Sequence, residues 1–450
     1  MLRLRRSAGP ARRAALAAGL LLLGGCAPSP PPDPSPATAQ VSLEALSAAD
    51  ALFARAAGAY QRGRHARAAG LFARAAEAPG YWRREAAFYG AACAYALGGD
   101  AASALDYLGR AVAAGFRGAG RMAADPDLRA LHGDPRWDAL LAGARGNEER
   151  YRAERGDPAN ARVVADDVER FWRAYDMAAR RQSDRSRAAV FLREYLERGT
   201  PGLLDYYRLK IGNPEQLGAF VARHPRFYGG VRASTLRAAH MEPEIRAVFA
   251  RLEALYPEAV FPDVYLVVGR LSSGGTVSGR GLLIGTEMYG VTPETPTDEL
   301  HLGLRRIVGP VEDLPHTVAH ELVHVQQAPL RDRTLLAGAL REGGADFLAD
   351  LVAPRGTPPF YRTWGTAHER EVWETFAAEM HQTDWRGWIG NNGTATEAWP
   401  ADLGYFVGYR IAQEYYARAA DKPAAFRALL RLDDPAGILR ESGYPGAPAP

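Results

Sequence analysis

The sequence predicts an α+β protein in two folded parts: an α-helical repeat domain, then a mostly helical C-terminal domain carrying a small β-sheet. Three observations carry this. The segment AGAYQRGRHARAAGLFARAAE (57–77) aligns with ACAYALGGDAASALDYLGRAV (92–112), one helix-turn-helix unit met twice. Two β-branched, apolar runs, DVYLVVGR (263–270) and GLLIGTEM (281–288), flank the Gly- and Ser-rich LSSGGTVSGR (271–280), a strand–loop–strand signal. From residue 314 onward, apolar positions return to helical spacing. At 450 residues and 47% hydrophobic content, the chain has enough material for two such cores.

The first 25 residues read as a secretory signal. Arg3, Arg5, Arg6, Arg12 and Arg13 form a basic start, and the apolar stretch from Ala14 to Leu23 is too short to span a bilayer. It ends in Leu23-Gly24-Gly25-Cys26, which resembles a bacterial lipobox, so Cys26 is the expected lipidated residue. Ala27 after it, rather than Asp, points to the periplasmic face of the outer membrane. Removing residues 1–25 takes away five arginines and no acids, moving the formal charge from +3 to −2. No basic run or stripe remains, which excludes a nucleic-acid footprint. The Pro-rich stretch 26–42 reads as a tether. Cys93, with no second thiol to pair with, reads as a buried structural residue.

Residues 43–146 form the repeat domain. Each copy places small residues where helices would touch and a Tyr before a Gly-containing turn, and this resembles tetratricopeptide repeats. Such arrays bind partner segments, so a protein partner is implied. The tail 122–142 fits a capping helix pair, with Asp125-Pro126 and Asp134-Pro135 as helix starts. A charged linker around Gly156-Asp157-Pro158 leads to the second domain, 160–445, which opens with amphipathic helices over 163–180 and 186–199.

The chemistry is concentrated in DLPHTVAHELVHVQQ (313–327). Pro315 suits a first helical turn and Asp313 a cap before it. Val318, Leu322 and Val325 make an apolar stripe, while His320 and His324 lie one turn apart on the other face, where both imidazoles reach one ion. Glu321 is offset by about 100°, within reach of a water on that ion without being a ligand. His-Glu-x-x-His predicts one catalytic Zn2+. The metzincin continuation is absent, because Gln327 and Leu330 stand where glycine and the third histidine belong.

The third ligand is instead expected to be Glu342, in the helical segment 335–353, with a short loop (328–334) returning that helix antiparallel to the first. Asp332 and Glu312 are weaker rivals. Asp346, one turn beyond Glu342, is placed to accept a hydrogen bond from a ligating imidazole. Gly343 and Gly344 are costly inside a helix, and a close approach of two backbones would explain them. His316 shares the histidine face and reads as a solvated first-turn residue. For a donor to a developing oxyanion, GYFVGYR (404–410) offers Tyr405, Tyr409 and Arg410, with Tyr409 favoured; His368 and His381 are further candidates.

His-Glu-x-x-His followed by Glu-x-x-x-Asp resembles the gluzincins. More narrowly, FWRAYD (171–176), 261–288, HTVAHELVHVQQ (316–327), REGGADFLADL (341–351) and LGYFVGYRI (403–411) resemble the DUF2268-like predicted zinc-dependent proteases, over about residues 160–440. The resemblance implies a zincin-like fold and a zinc metallopeptidase hydrolysing peptide bonds in the cell envelope, with Glu321 as general base. Either strand, 281–288 or 263–270, would offer an edge to an extended peptide, with SSGGT (272–276) a flexible loop. Two other readings stand beside it: a non-catalytic envelope scaffold or binding lipoprotein using its repeats, and hydrolysis of a non-peptide amide.

Overall fold

The computed structural model describes residues 43–444 except 354 and 357. The expected signal segment 1–25, the lipidation site Cys26 and the tether 26–42 lie outside the described residues. The chain packs as two units, one running to Ala153 and the other starting at Glu154. It is mostly helical with one four-stranded sheet, an α+β protein.

The first unit is built from two helical hairpins, Leu43–Gln61 with His65–Glu77 and Arg84–Leu97 with Ala101–Ala113. Each turns at a glycine in the left-handed region, Gly63 (φ 71°) and Gly99 (φ 83°), a conformation that L side chains avoid. Alanines at 56, 68, 69, 75, 76, 87, 91 and 92 are buried, so the helices approach closely, and Phe53 meets Phe72 edge-on at 5.1 Å. Asp125 accepts hydrogen bonds from Tyr89 and the Asp127 backbone, starting the 3₁₀ turn Pro126–Leu131. Helix Trp137–Arg155 closes the unit. Cys93 is buried.

In the second unit, helices Asp166–Ala179 and Asp184–Phe191 occupy the two amphipathic segments, the latter running into a wider turn, Leu192–Leu196. The sheet order is β1 (Val163–Val164), β2 (Asp263–Val267), β4 (Gly281–Gly285), β3 (Gly275–Ser278). β1, β2 and β4 are parallel, and β3 pairs antiparallel with β4. This corrects the expected strand–loop–strand: residues 275–278 are not loop but the sheet edge, and β2 and β4 are both interior. Thr276 and Val277 suit a strand, but the Gly and Ser residues around them (272–275, 278) made the run read as loop, and pairing with β4 orders it. Asp263, at the start of β2, is buried between Arg155 (2.6 Å) and Arg162 (2.7 Å).

Three helices then hold the site: Leu314–Gln326, Leu335–Val352 and Leu403–Arg418. The second of these is buried along nearly its whole length, apart from exposed Leu351 near its end. It crosses the third with backbones in contact. A Cβ on Gly343 would lie 2.2 Å from the Tyr405 carbonyl oxygen, and one on Gly408 would lie 1.8 Å from that of Ala339. At Gly344 an added Cβ meets only the Ala412 methyl, at 4.0 Å. Gly408→Ala is therefore expected to destabilise by about 3 kcal/mol through overpacking, while Gly344→Ala is neutral or stabilises by up to about 1 kcal/mol. Urea unfolding of the two variants checks the contrast; equal losses at both positions would contradict it.

Candidate metal centre

Helix Leu314–Gln326 has Pro315 in its first turn, and Val318 and Leu322 face the core. Asp313 does not cap it through its side chain, as the sequence had suggested, but is buried at its start. The helix end is fixed by Gln326, whose amide donates to the Val260 carbonyl (2.9 Å) and accepts from the Val260 N–H (3.0 Å). The loop after Gln327 brings Leu335–Val352 alongside, with Thr334 capping its start.

Side-chain nitrogen or oxygen atoms of His320, His324 and Glu342 lie within 4.8 Å of one another. Glu342 Oε2 is 3.2 Å from His324 Nε2 and 3.8 Å from His320 Nε2. The outer nitrogens are both committed. His320 Nδ1 donates to Asp346 Oδ1 at 2.8 Å, and the second oxygen of Asp346 accepts from the Tyr361 hydroxyl. His324 Nδ1 donates to Gln327 Oε1 at 2.7 Å, and Gln327 is oriented because its amide donates to the Arg341 carbonyl. Both rings are thereby set in the tautomer that turns Nε2 inward, and the two Nε2 atoms are 2.9 Å apart.

Neutral rings in that arrangement would oppose two lone pairs beside a carboxylate, so the cluster demands a cation, either a shared proton or a metal ion. Burial works against an imidazolium at His320, but the Asp346 hydrogen bond and the charges of Asp346, Glu321 and Glu342 outweigh it and raise its pKa to about 9. Burial also works against a charged Glu342, yet His324 and His320 bring it down to about 2. Two nitrogens and one carboxylate oxygen form a donor set that suits Zn2+ and leaves a position open.

Glu321 is buried between this cluster and the sheet edge: a Cβ on Gly275 of β3 would lie 2.6 Å from its carboxylate. The segment entering β3 is held from below by Glu287, which is fully buried and accepts the N–H of Leu271, a residue with φ 55°.

Several residues singled out in the sequence lie elsewhere. The Tyr409 hydroxyl donates to Asp350 Oδ2 at 2.9 Å, and Arg410 pairs with Glu369, so neither faces the cluster. Tyr405 does: its ring lies nearly parallel to that of His320, 6.2 Å away at 17°. His316 is not solvated but buried, donating to Asp350 (2.9 Å) and accepting from Arg355 (3.0 Å). His368 stacks on Trp364, His381 is exposed, Glu312 pairs with Arg237, and Asp332 holds the Thr334 N–H. Tyr361 and the role of Gln327 had no local signal. Both act on groups that only folding brings near.

Residues 225–446 match the family model of gliding motility protein GldB, a lipoprotein family. No curated protein and no solved structure matches the chain. The match spans β2 to β4 and all three site helices. It overturns the DUF2268-like and gluzincin assignment, and with it the expected peptidase activity and peptide substrate. The reason is physical: His-Glu-x-x-His with a following Glu specifies donors for an ion, and donors do not specify what the ion is used for.

Glu287 gives a test of the segment below β3. Burial raises its pKa from an ordinary 4.5 to about 7, against hydrogen bonds to backbone N–H groups that lower it. Below about pH 4.5 the group is protonated in both folded and unfolded chains. As pH rises through 7 the unfolded chain ionises first, so its contribution to stability is lost. Glu287→Gln is expected to gain about 1–3 kcal/mol on the wild type between pH 4.5 and 7.5. A pH-independent difference between the two chains would refute the buried, proton-holding state.

Proposed function

We propose that this chain is a lipid-anchored component of a bacterial surface-motility assembly that works by binding, and that its C-terminal unit is organised around one zinc ion. The observation that carries the reading is the match of residues 225–446 to gliding motility protein GldB. Cys26 is the attachment point, consistent with a chain in which no described helix is long and apolar enough to cross a membrane. The outer membrane, periplasmic side, is the favoured location. The helical hairpins of the first unit, tetratricopeptide-like in sequence, supply the surface for a protein partner.

His320, His324 and Glu342 would hold the zinc ion, with Asp346 and Gln327 orienting the imidazoles. The ion would tie two helices together and offer its open position to a donor group from a partner. Glu321 in this reading is a buried carboxylate that packs under β3.

Full-length protein extracted from the envelope is expected to carry about one zinc per chain, and His324→Ala or Glu342→Ala to lose it. Elemental analysis decides this, and metal-free wild type that is folded with zinc supplied would defeat the zinc centre. In cells, Glu321→Gln is expected to support gliding like the wild type, while Cys26→Ala abolishes it. Loss of gliding with folded, zinc-loaded Glu321→Gln protein would count against action by binding alone.

A further inference from the structure

The sheet ends at β3, and that edge borders the metal centre. Its backbone pairing shows which groups are left over. The Gly285 N–H donates to the Gly274 carbonyl (3.0 Å), and the register continues through Gly275↔Ile284, Thr276↔Leu283, Val277↔Leu282 and Ser278↔Gly281. Hydrogen-bonded pairs alternate along an antiparallel ladder, so Thr276 and Ser278 bond β4 while Gly275 and Val277 turn their N–H and C=O groups outward. The Ser273 hydroxyl donates to the Gly275 carbonyl (2.6 Å). Among the described residues, nothing bonds the Gly275 N–H or either backbone group of Val277. Val277 is half-buried, and the edge carries no charged side chain and no proline, two of the usual guards against a further strand. Positions 275 and 277 share one face of the sheet, the face that meets Glu321.

We propose that β3 is the docking edge for an extended segment of a protein partner, which adds to the sheet as a fifth strand and turns one histidine to the open position of the ion. The inference rests on the zinc reading above. Three free backbone groups are too few to hold a segment by themselves, and one donor to an ion sets neither its direction nor its register. The two features together specify both. The edge aligns the main chain, and the alternation of side chains brings every second residue to the face that carries Glu321. The donor is a neutral imidazole rather than a carboxylate, because Glu342, Asp346 and Glu321 already bring three carboxyl groups to the centre. The other edge, β1, is two residues long and lies at the far end of the strand order, away from the centre.

The test uses the full chain loaded with Zn2+ and a fluorescent, end-blocked decapeptide of alternating Thr and Val, with one central His and a Lys at each end. Anisotropy reads binding, and hydrogen exchange reads the amides of residues 275–278. The His peptide is expected to bind and to slow exchange at Val277; peptides with Ala or Asp in place of His are expected to bind more weakly. Val277→Pro removes an N–H that points away from β4, so the ladder survives, and is expected to weaken binding about 10-fold. The same peptide N-methylated at alternate residues cannot bond the edge; its expected loss of binding to the wild type keeps the test open should the Pro variant fold poorly. Zinc-loaded wild type that binds no peptide would overturn the proposal, as would binding that ignores the His, the N-methyl groups or the zinc. A wild-type chain that holds no zinc fails earlier and overturns the zinc reading itself.

Discussion

The backbone contact between helices Leu335–Val352 and Leu403–Arg418 is the constraint on which the C-terminal unit depends. Two glycines, Gly343 and Gly408, let the helices approach until carbonyl and amide of one touch the other. Glycine costs about 1 kcal/mol against alanine in each helix, and the loss is offset by what the contact brings together. On one side of the crossing lie Glu342 and Asp346; on the other lies Tyr405. A single methyl at either glycine would force them apart.

The centre itself is a problem in burying like groups. Two imidazoles with their lone pairs turned to one another, and a carboxylate beside them, are unfavourable in a protein interior unless a positive charge sits among them. The surroundings are arranged to keep the problem posed in one form. Asp346 and Gln327 fix the tautomers, Arg341 fixes Gln327, and Tyr361 fixes Asp346. A second polar network, His316 with Asp350, Arg355, Arg362 and Tyr409, ties the same helices a turn away. Every one of its members is bonded within the network, so it stiffens the scaffold and leaves the open side of the cluster to the β3 edge.

What the donor set fixes is narrower than what it brings to mind. Spacing of one helical turn between two histidines establishes that both can meet an ion. The family match separates that chemistry from the use to which it is put: residues 225–446 resemble gliding motility protein GldB and no peptidase family. In the function proposed above, zinc would tie helix Leu314–Gln326, through His320 and His324, to helix Leu335–Val352, through Glu342.

By itself the sequence determined the helical periods, the metal-capable face of His320 and His324, the candidacy of Glu342 and Asp346, and the glycines that signalled a close crossing. These are local matters, set by residue type and by spacings of three, four and seven along one helix. The tertiary structure decided the rest. It made residues 275–278 an edge strand, because pairing with β4 orders a run whose surrounding Gly and Ser residues read as loop. It chose Tyr405 over Tyr409, since two residues on adjacent turns of one helix differ in environment only through the helix they cross. It buried His316 and recruited Tyr361 and Gln327, whose partners lie across loops of the chain. Those choices depend on which surfaces meet in space, and no periodicity along a single strand or helix encodes that.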